Sequence, residues 1–93
     1  MLTIKEARLA VRLSSTDFDG ELQDLMDAAV LDLNTAGIAE QDDDRLYDQA
    51  LRMYLKGHWE PGAPEAADCR KIYEDIKGTL KHSSKYREVA ADA

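Results

Sequence analysis

Apolar residues recur at steps of three and four along most of this chain, and the densest run is Leu46 to Trp59. At helical spacing, Leu46, Ala50, Met53, Tyr54 and Gly57 form one stripe, and Tyr47, Leu51, Leu55, His58 and Trp59 form a second beside it. A helix with one apolar stripe lies on a core, whereas a helix apolar nearly all round is surrounded. In 93 residues little protein is available to surround it. Either this third helix is the central post of a very small bundle, or part of it meets another subunit.

Three more helices follow from the same periodicity. The first opens on the capping box Thr3-Ile4-Lys5-Glu6, with Leu2 as a hydrophobic staple. Its face is Ala7, Ala10 and Val11, widened by Leu9 and Leu13, and it ends near Leu13 because Ser14-Ser15-Thr16 favours turns. The second has Thr16 as N-cap and Asp17 and Asp19 in its first turn. Phe18, Leu22, Leu25, Met26, Ala29, Leu33 and Ala36 then make the cleanest amphipathic pattern of the chain. Gly37 and Ile38 fit a Schellman end. One aspartate of Asp42-Asp43-Asp44 caps the third helix, which stops near Gly57 or Trp59 before the stiff turn Glu60-Pro61-Gly62-Ala63-Pro64. The fourth helix begins near Pro64, carries Cys69, Ile72, Tyr73, Ile76 and Leu80 inward, and ends in Lys77, Lys81 and His82, where the helix dipole favours cations.

The expected fold class is therefore all-α, a small bundle of about four helices with short connections. One domain spans 1–87, and a tail at 88–93 is expected to fray. A domain this size buries a modest share of its surface, and association is a common remedy.

The net charge of −7 argues against wrapping nucleic acid, because such a surface repels phosphate. Cys69 is the only cysteine, so no intrachain disulfide is possible, which suits a reducing compartment. No signal-peptide pattern opens the chain, and no apolar stretch reaches the roughly 20 residues that span a bilayer. The expectation is a soluble, intracellular protein without a membrane partner.

Candidate chemistry is sparse. Glu40, Asp42, Asp43 and Asp44 lack the alternating oxygen ligands and central glycine of a calcium loop, and capping explains them better. His58, Cys69 and His82 are scattered singly, unlike a zinc site. No nucleophile elbow, phosphate loop or catalytic carboxylate pair is present. The expectation is a protein that is not an enzyme, with no cofactor and no metal. Tyr54 and Tyr73 read as core, Tyr47 and Trp59 fit that less easily, and Trp59 beside the Pro-Gly turn is either a plug over the end of the bundle or a contact for a partner.

The order of parts resembles a known family, the small head–tail connector or DNA-packaging adaptor proteins of tailed bacteriophages and prophages. The resemblance rests on the short helix Ile4 to Leu13, then Phe18-Asp19-Gly20-Glu21-Leu22 opening a long helix. That helix stops at Leu33-Asn34-Thr35-Ala36-Gly37-Ile38, and Met53-Tyr54-Leu55-Lys56-Gly57-His58-Trp59 puts aromatics late in the third. Tyr73-Glu74-Asp75-Ile76-Lys77 lies in a fourth that closes with Leu80, Ser83, Ser84 and Tyr86. It covers roughly residues 1–87, and the closing piece is the most distinctive. The Pro61-Gly62-Ala63-Pro64 turn is stiffer than the pattern.

The resemblance implies a structural protein of the virion neck, made in the cytoplasm of a bacterial host. It implies a homo-oligomeric ring of about twelve subunits beneath the portal protein. Such a ring extends the DNA channel, retains the packaged genome and docks a downstream neck or tail-completion protein. DNA passes through it without sequence-specific binding. On this reading Tyr47, Leu51, Leu55, Trp59 and Tyr86 are the expected subunit or partner interface, and Glu40, Asp42, Asp43 and Asp44 the expected acidic channel lining. The competing expectation is a small acidic helical adaptor, unrelated to phage, that binds a protein partner.

Overall fold

A computed structural model describes residues 1–87; the tail expected to fray, 88–93, lies outside the described residues. Four helices form the bundle: α1 (Ile4–Ala10), α2 (Asp19–Thr35), α3 (Arg45–His58) and α4 (Ala66–Lys81), followed by a single 3-10 turn at Ser84–Tyr86. The all-α architecture is as the periodicity predicts.

Local chemistry sets most of the boundaries. In the capping box of α1 the Glu6 N–H donates to Thr3 Oγ1 at 3.1 Å, and the Thr3 N–H donates to Glu6 Oε1 at 2.9 Å. The helix stops earlier than the sequence suggests, at Ala10, because Arg12 turns into the left-handed region with φ 61. The expected Thr16 cap of α2 does not form. Asp19 N–H donates instead to the Thr16 carbonyl at 3.1 Å, a turn precedes the helix, and Phe18 occupies the cap position without a side-chain bond. At its other end α2 closes as a Schellman motif: Ile38 N–H reaches the Leu33 carbonyl at 3.0 Å and Gly37 N–H reaches Asn34 at 2.9 Å. Gly37 has φ 86, which only glycine adopts at little cost.

The two stripes of α3 resolve in favour of the central post. Tyr47, Ala50, Leu51 and Leu55 are all 0% exposed. They are enclosed by α2 on one side and α4 on the other, with α1 also against the post. The closest approach is between α3 and α4, where Gly57 lies against the Arg70 stem: a β-carbon at Gly57 would come 2.6 Å from Arg70 Cγ and 3.1 Å from its backbone nitrogen. The Arg70 guanidinium then donates to the Gly57 carbonyl at 2.7 Å, satisfying an end-of-helix acceptor. Leu22, Met26, Ala29 and Leu33 from α2, and Cys69, Tyr73 and Leu80 from α4, complete one continuous core. Each such leucine contributes about 2 kcal/mol of apolar burial.

Candidate functional site

The residues expected at an interface are mostly inside the subunit. Tyr47, Leu51 and Leu55 have no exposed surface to offer a neighbour, and Tyr86 is 7% exposed. The expectation for these four is corrected on that ground: a helix surrounded by its own bundle buries both stripes without a second chain. Trp59 is different. It is half-buried, packs edge-on against Phe18 with ring centroids 6.3 Å apart, and walls a cavity of about 470 Å³ with Val11, Leu13, Lys56 and Pro64.

Asp44 also leaves the expected channel lining, because it is 8% exposed and fully engaged. Its Oδ1 accepts from the Tyr47 N–H at 2.9 Å and caps α3. Its Oδ2 accepts from the Tyr86 hydroxyl at 2.8 Å and from Lys85 Nζ at 2.9 Å. Burial works against the charge, but the Tyr47 N–H, Lys85 and Tyr86 outweigh it and bring the carboxyl down to about 2. This one carboxylate therefore ties the last turn of the described chain to the start of α3. The tie is reinforced where Ala39 N–H donates to the Tyr86 carbonyl at 2.8 Å, in a lone antiparallel bridge between Ile38 and Arg87. Glu40, Asp42 and Asp43 are exposed and, among the described residues, carry no ion pair.

A second, half-buried network was not legible from the pattern. The Tyr73 hydroxyl donates to Asp32 Oδ2 at 2.5 Å, and Lys77 Nζ reaches the same oxygen at 3.0 Å and Glu74 at 3.2 Å. Burial and the Asp32 carboxylate both raise the Tyr73 phenol. Tyr54 stands edge-on to Tyr73 at 5.1 Å and stacks on His58 at 4.0 Å. Burial opposes the charge on Lys77, yet Asp32 and Glu74 hold its pKa above the usual lysine range. The group is a clamp between α2 and α4. Every polar member is already satisfied, and none is aimed into an open pocket.

The Tyr47 hydroxyl contrasts with it. That oxygen is buried with no hydrogen-bond partner among the described residues. Burial, then the nearby Glu40 and Asp48 carboxylates, push the phenol up to about 12. It stays neutral at any ordinary pH and offers no acid–base chemistry. Among the described residues no cluster of histidine, cysteine and carboxylates is arranged to hold a metal ion.

What remains exposed is unlike what the stripes predicted. Leu9 on α1 is 69% exposed and Leu31 on α2 is 66% exposed, each larger in open area than any aromatic of the chain. The sequence contained a signal for both: each falls off the inward stripe of its own helix. Leu9 was assigned to a widened inward face instead, and α1 proved too short and too peripheral to bury it. Among the described residues no helix is long and apolar enough to cross a membrane. In comparison with known proteins, the chain matches no family model, no curated protein and no solved structure.

Proposed function

We propose that this chain is a structural head–tail connector subunit of a tailed phage or prophage, with no catalytic role. In this reading copies assemble as a ring beneath the portal, extend the DNA channel and dock the next neck protein. The observation that carries it is a complete core combined with two widely exposed leucines on separate helices. Leu9 and Leu31 leave about two thirds of their surface open, on a chain of net charge −7. A ring subunit uses two unlike faces, because each neighbour contact is heterologous.

The charge distribution supports the same reading. From Asp17 to Asp44 every charged side chain is acidic. An acidic wall lets duplex DNA slide without adhering, since like charges prevent contact. With Asp44 engaged in the fold, Asp42 and Asp43 are the acids this reading assigns to the channel. The direct test is light scattering on the purified chain mixed with candidate portal rings. Saturable binding near one chain per portal subunit is expected. A chain that binds no cognate portal at any concentration refutes the reading. Asp42→Lys with Asp43→Lys should trap DNA and lower infectivity without unfolding the chain, and normal infectivity would count against the channel assignment.

One observation favours the adaptor alternative: the cavity of about 470 Å³ beside Trp59 could take a partner's apolar side chain. Trp59→Ala separates the two readings. It should abolish partner binding by an adaptor and leave portal binding by a connector largely intact.

A further inference from the structure

We propose that copies of this chain meet through the solvent face of α1 in one copy and an acid-rimmed groove on α2 of the next. This deepens the connector reading by naming a subunit contact, and it rests on that reading's premise that copies meet.

Lys5 and Leu9 lie four apart on one face of α1, and Arg12 follows just past the helix end, where it also lines the cavity beside Trp59. All three are exposed. The other charges of this segment are engaged elsewhere: Arg8 pairs with Asp19 at 3.0 Å, and Glu6 pairs with Arg52 at 3.7 Å. What faces solvent is a leucine between two cations, neither with an ion-pair partner among the described residues.

The opposite pattern lies on α2. Asp24, Asp27 and Leu31 share its outer face, and all are exposed. Beside Leu31 a shallow groove of about 380 Å³ is walled by Met1, Val30, Asn34, Asp27 and Glu40, with the Met1 ammonium held by the Asp42 carbonyl and Asp48. Neither Asp27 nor Glu40 has a cation within ion-pair distance among the described residues. The patch on α2, from Asp24 to Leu31, extends over seven residue steps, about 10 Å of helix.

Charge and shape select this pairing over the others. A face of α1 laid on itself brings cations together, and the α2 face laid on itself brings acids together, so neither pairs isologously. Of the other exposed apolar residues, Leu46 is the least open, at 38%. Phe18 already packs on Trp59. Ile72 has Asp68 and Asp75 as well as Lys71 around it on α4, so its surroundings carry no clear sign. Lys77 and Lys85 are not free to receive an acidic face, because Asp32 and Asp44 hold them. Leu9 in the α2 groove, with Lys5 and Arg12 against Asp27 and Glu40, covers both open leucines in one contact. Because the two patches differ, each copy of a pair keeps its other patch free for a further neighbour.

The test is sedimentation of the full chain across a concentration series, with charge-reversed variants. Lys5→Glu with Arg12→Glu should weaken self-association by at least about tenfold, and so should Asp27→Lys with Glu40→Lys. Combining the two pairs should restore it, because the charges are exchanged rather than removed. Circular dichroism should show all variants folded, since every altered side chain is exposed. A second measurement uses Leu9→Cys and Leu31→Cys, each in a Cys69→Ala background, with a short bismaleimide. Linked dimers are expected only from the mixture of the two. Linkage within either variant alone, or reversal without effect on assembly, overturns the contact. A chain that stays monomeric at every concentration also overturns it, while portal binding by that monomer would leave the connector reading standing.

Discussion

Asp44 is the residue on which the described fold should depend most sharply, and its contribution can be worked from its contacts. Three donors converge on one carboxylate: the Tyr47 N–H, the Tyr86 hydroxyl and Lys85 Nζ, all within 2.9 Å. They hold the carboxyl at about 2 against an ordinary 3.8, despite the opposing effect of burial. At 1.36 kcal/mol per unit that depression corresponds to about 2 kcal/mol. Lys85 is 65% exposed, so solvent screens its share, and about 1–2 kcal/mol is the stabilisation to expect from the charge. The folded chain keeps this carboxylate charged down to about pH 2, whereas the unfolded chain takes up a proton near 3.8. The stabilisation is therefore complete above about pH 5 and is lost as pH falls toward 2.

Two substitutions separate charge from capping. Asp44→Asn keeps an oxygen that can accept from the Tyr47 N–H, and asparagine is a good N-cap, so the cap is kept while the charge and the acceptor for the Tyr86 hydroxyl and Lys85 are lost. It should cost about 1–2 kcal/mol at neutral pH. Asp44→Ala removes the cap as well and strands the Tyr86 hydroxyl, for about 2–4 kcal/mol in total. Urea denaturation followed by far-ultraviolet circular dichroism gives both values, with Trp59 fluorescence as an independent probe. The gap between the native chain and Asp44→Asn should close between pH 5 and pH 2. A gap that is constant over that range, or an alanine variant within about 0.5 kcal/mol of the native chain, would refute the reasoning.

Two of the buried phenols, Tyr47 and Tyr73, should respond oppositely to loss of their hydroxyls. Tyr47→Phe removes an oxygen with no partner among the described residues and should be neutral or stabilising by up to about 1 kcal/mol, whereas Tyr73→Phe loses a bond to the Asp32 carboxylate and should cost about 1.5–3 kcal/mol, both read from urea midpoints. Gly57→Ala gains roughly 1 kcal/mol of helix propensity but drives a methyl to 2.6 Å from the Arg70 stem. Overpacking of about 1–3 kcal/mol should leave it net destabilised in thermal melts, and Arg70→Ala should relieve the 2.6 Å side-chain part of the clash in the double variant, though not the 3.1 Å approach to the backbone nitrogen. Arg12→Gly relaxes a left-handed backbone and should raise stability by about 0.5–1 kcal/mol, seen as a higher urea midpoint at unchanged slope.

The helices were legible because each carries its own local signal. The Thr3–Glu6 box, the Leu33–Gly37–Ile38 end and the proline turn after Trp59 are decided within a few residues, and the structure contains all three. The use of the buried faces was harder to read. Two adjacent stripes on α3 fit a post or an interface equally well, and only the packing of α2 and α4 around it decides. Tyr47, Leu51 and Leu55 went to the wrong side for that reason. Asp44 was grouped with Asp42 and Asp43 by proximity in sequence, yet its environment comes from Lys85 and Tyr86, about forty residues away. A long-range partner of this kind has no periodicity to reveal it. The cap of α2 failed for a related reason: a turn through Thr16 to Asp19 competes with the helix for the same residues.

Arg12 brings the stability argument and the assembly argument to one residue. Both α1 and α2 end with a residue in the left-handed region, and α2 uses Gly37 there, the residue that adopts it most cheaply. At the end of α1 the same position is an arginine at φ 61, beside a leucine that is 69% exposed. Each of these weakens the isolated subunit, one through backbone sterics and the other through apolar surface left in water. A contact that covers Leu9 and pairs the arginine offsets both. Arg12→Gly should therefore act with opposite sign in two assays, raising the urea midpoint of the subunit while weakening self-association. A variant that is more stable and assembles as well as the native chain would show that the arginine serves neither, and the α1 face would lose half of its charge argument.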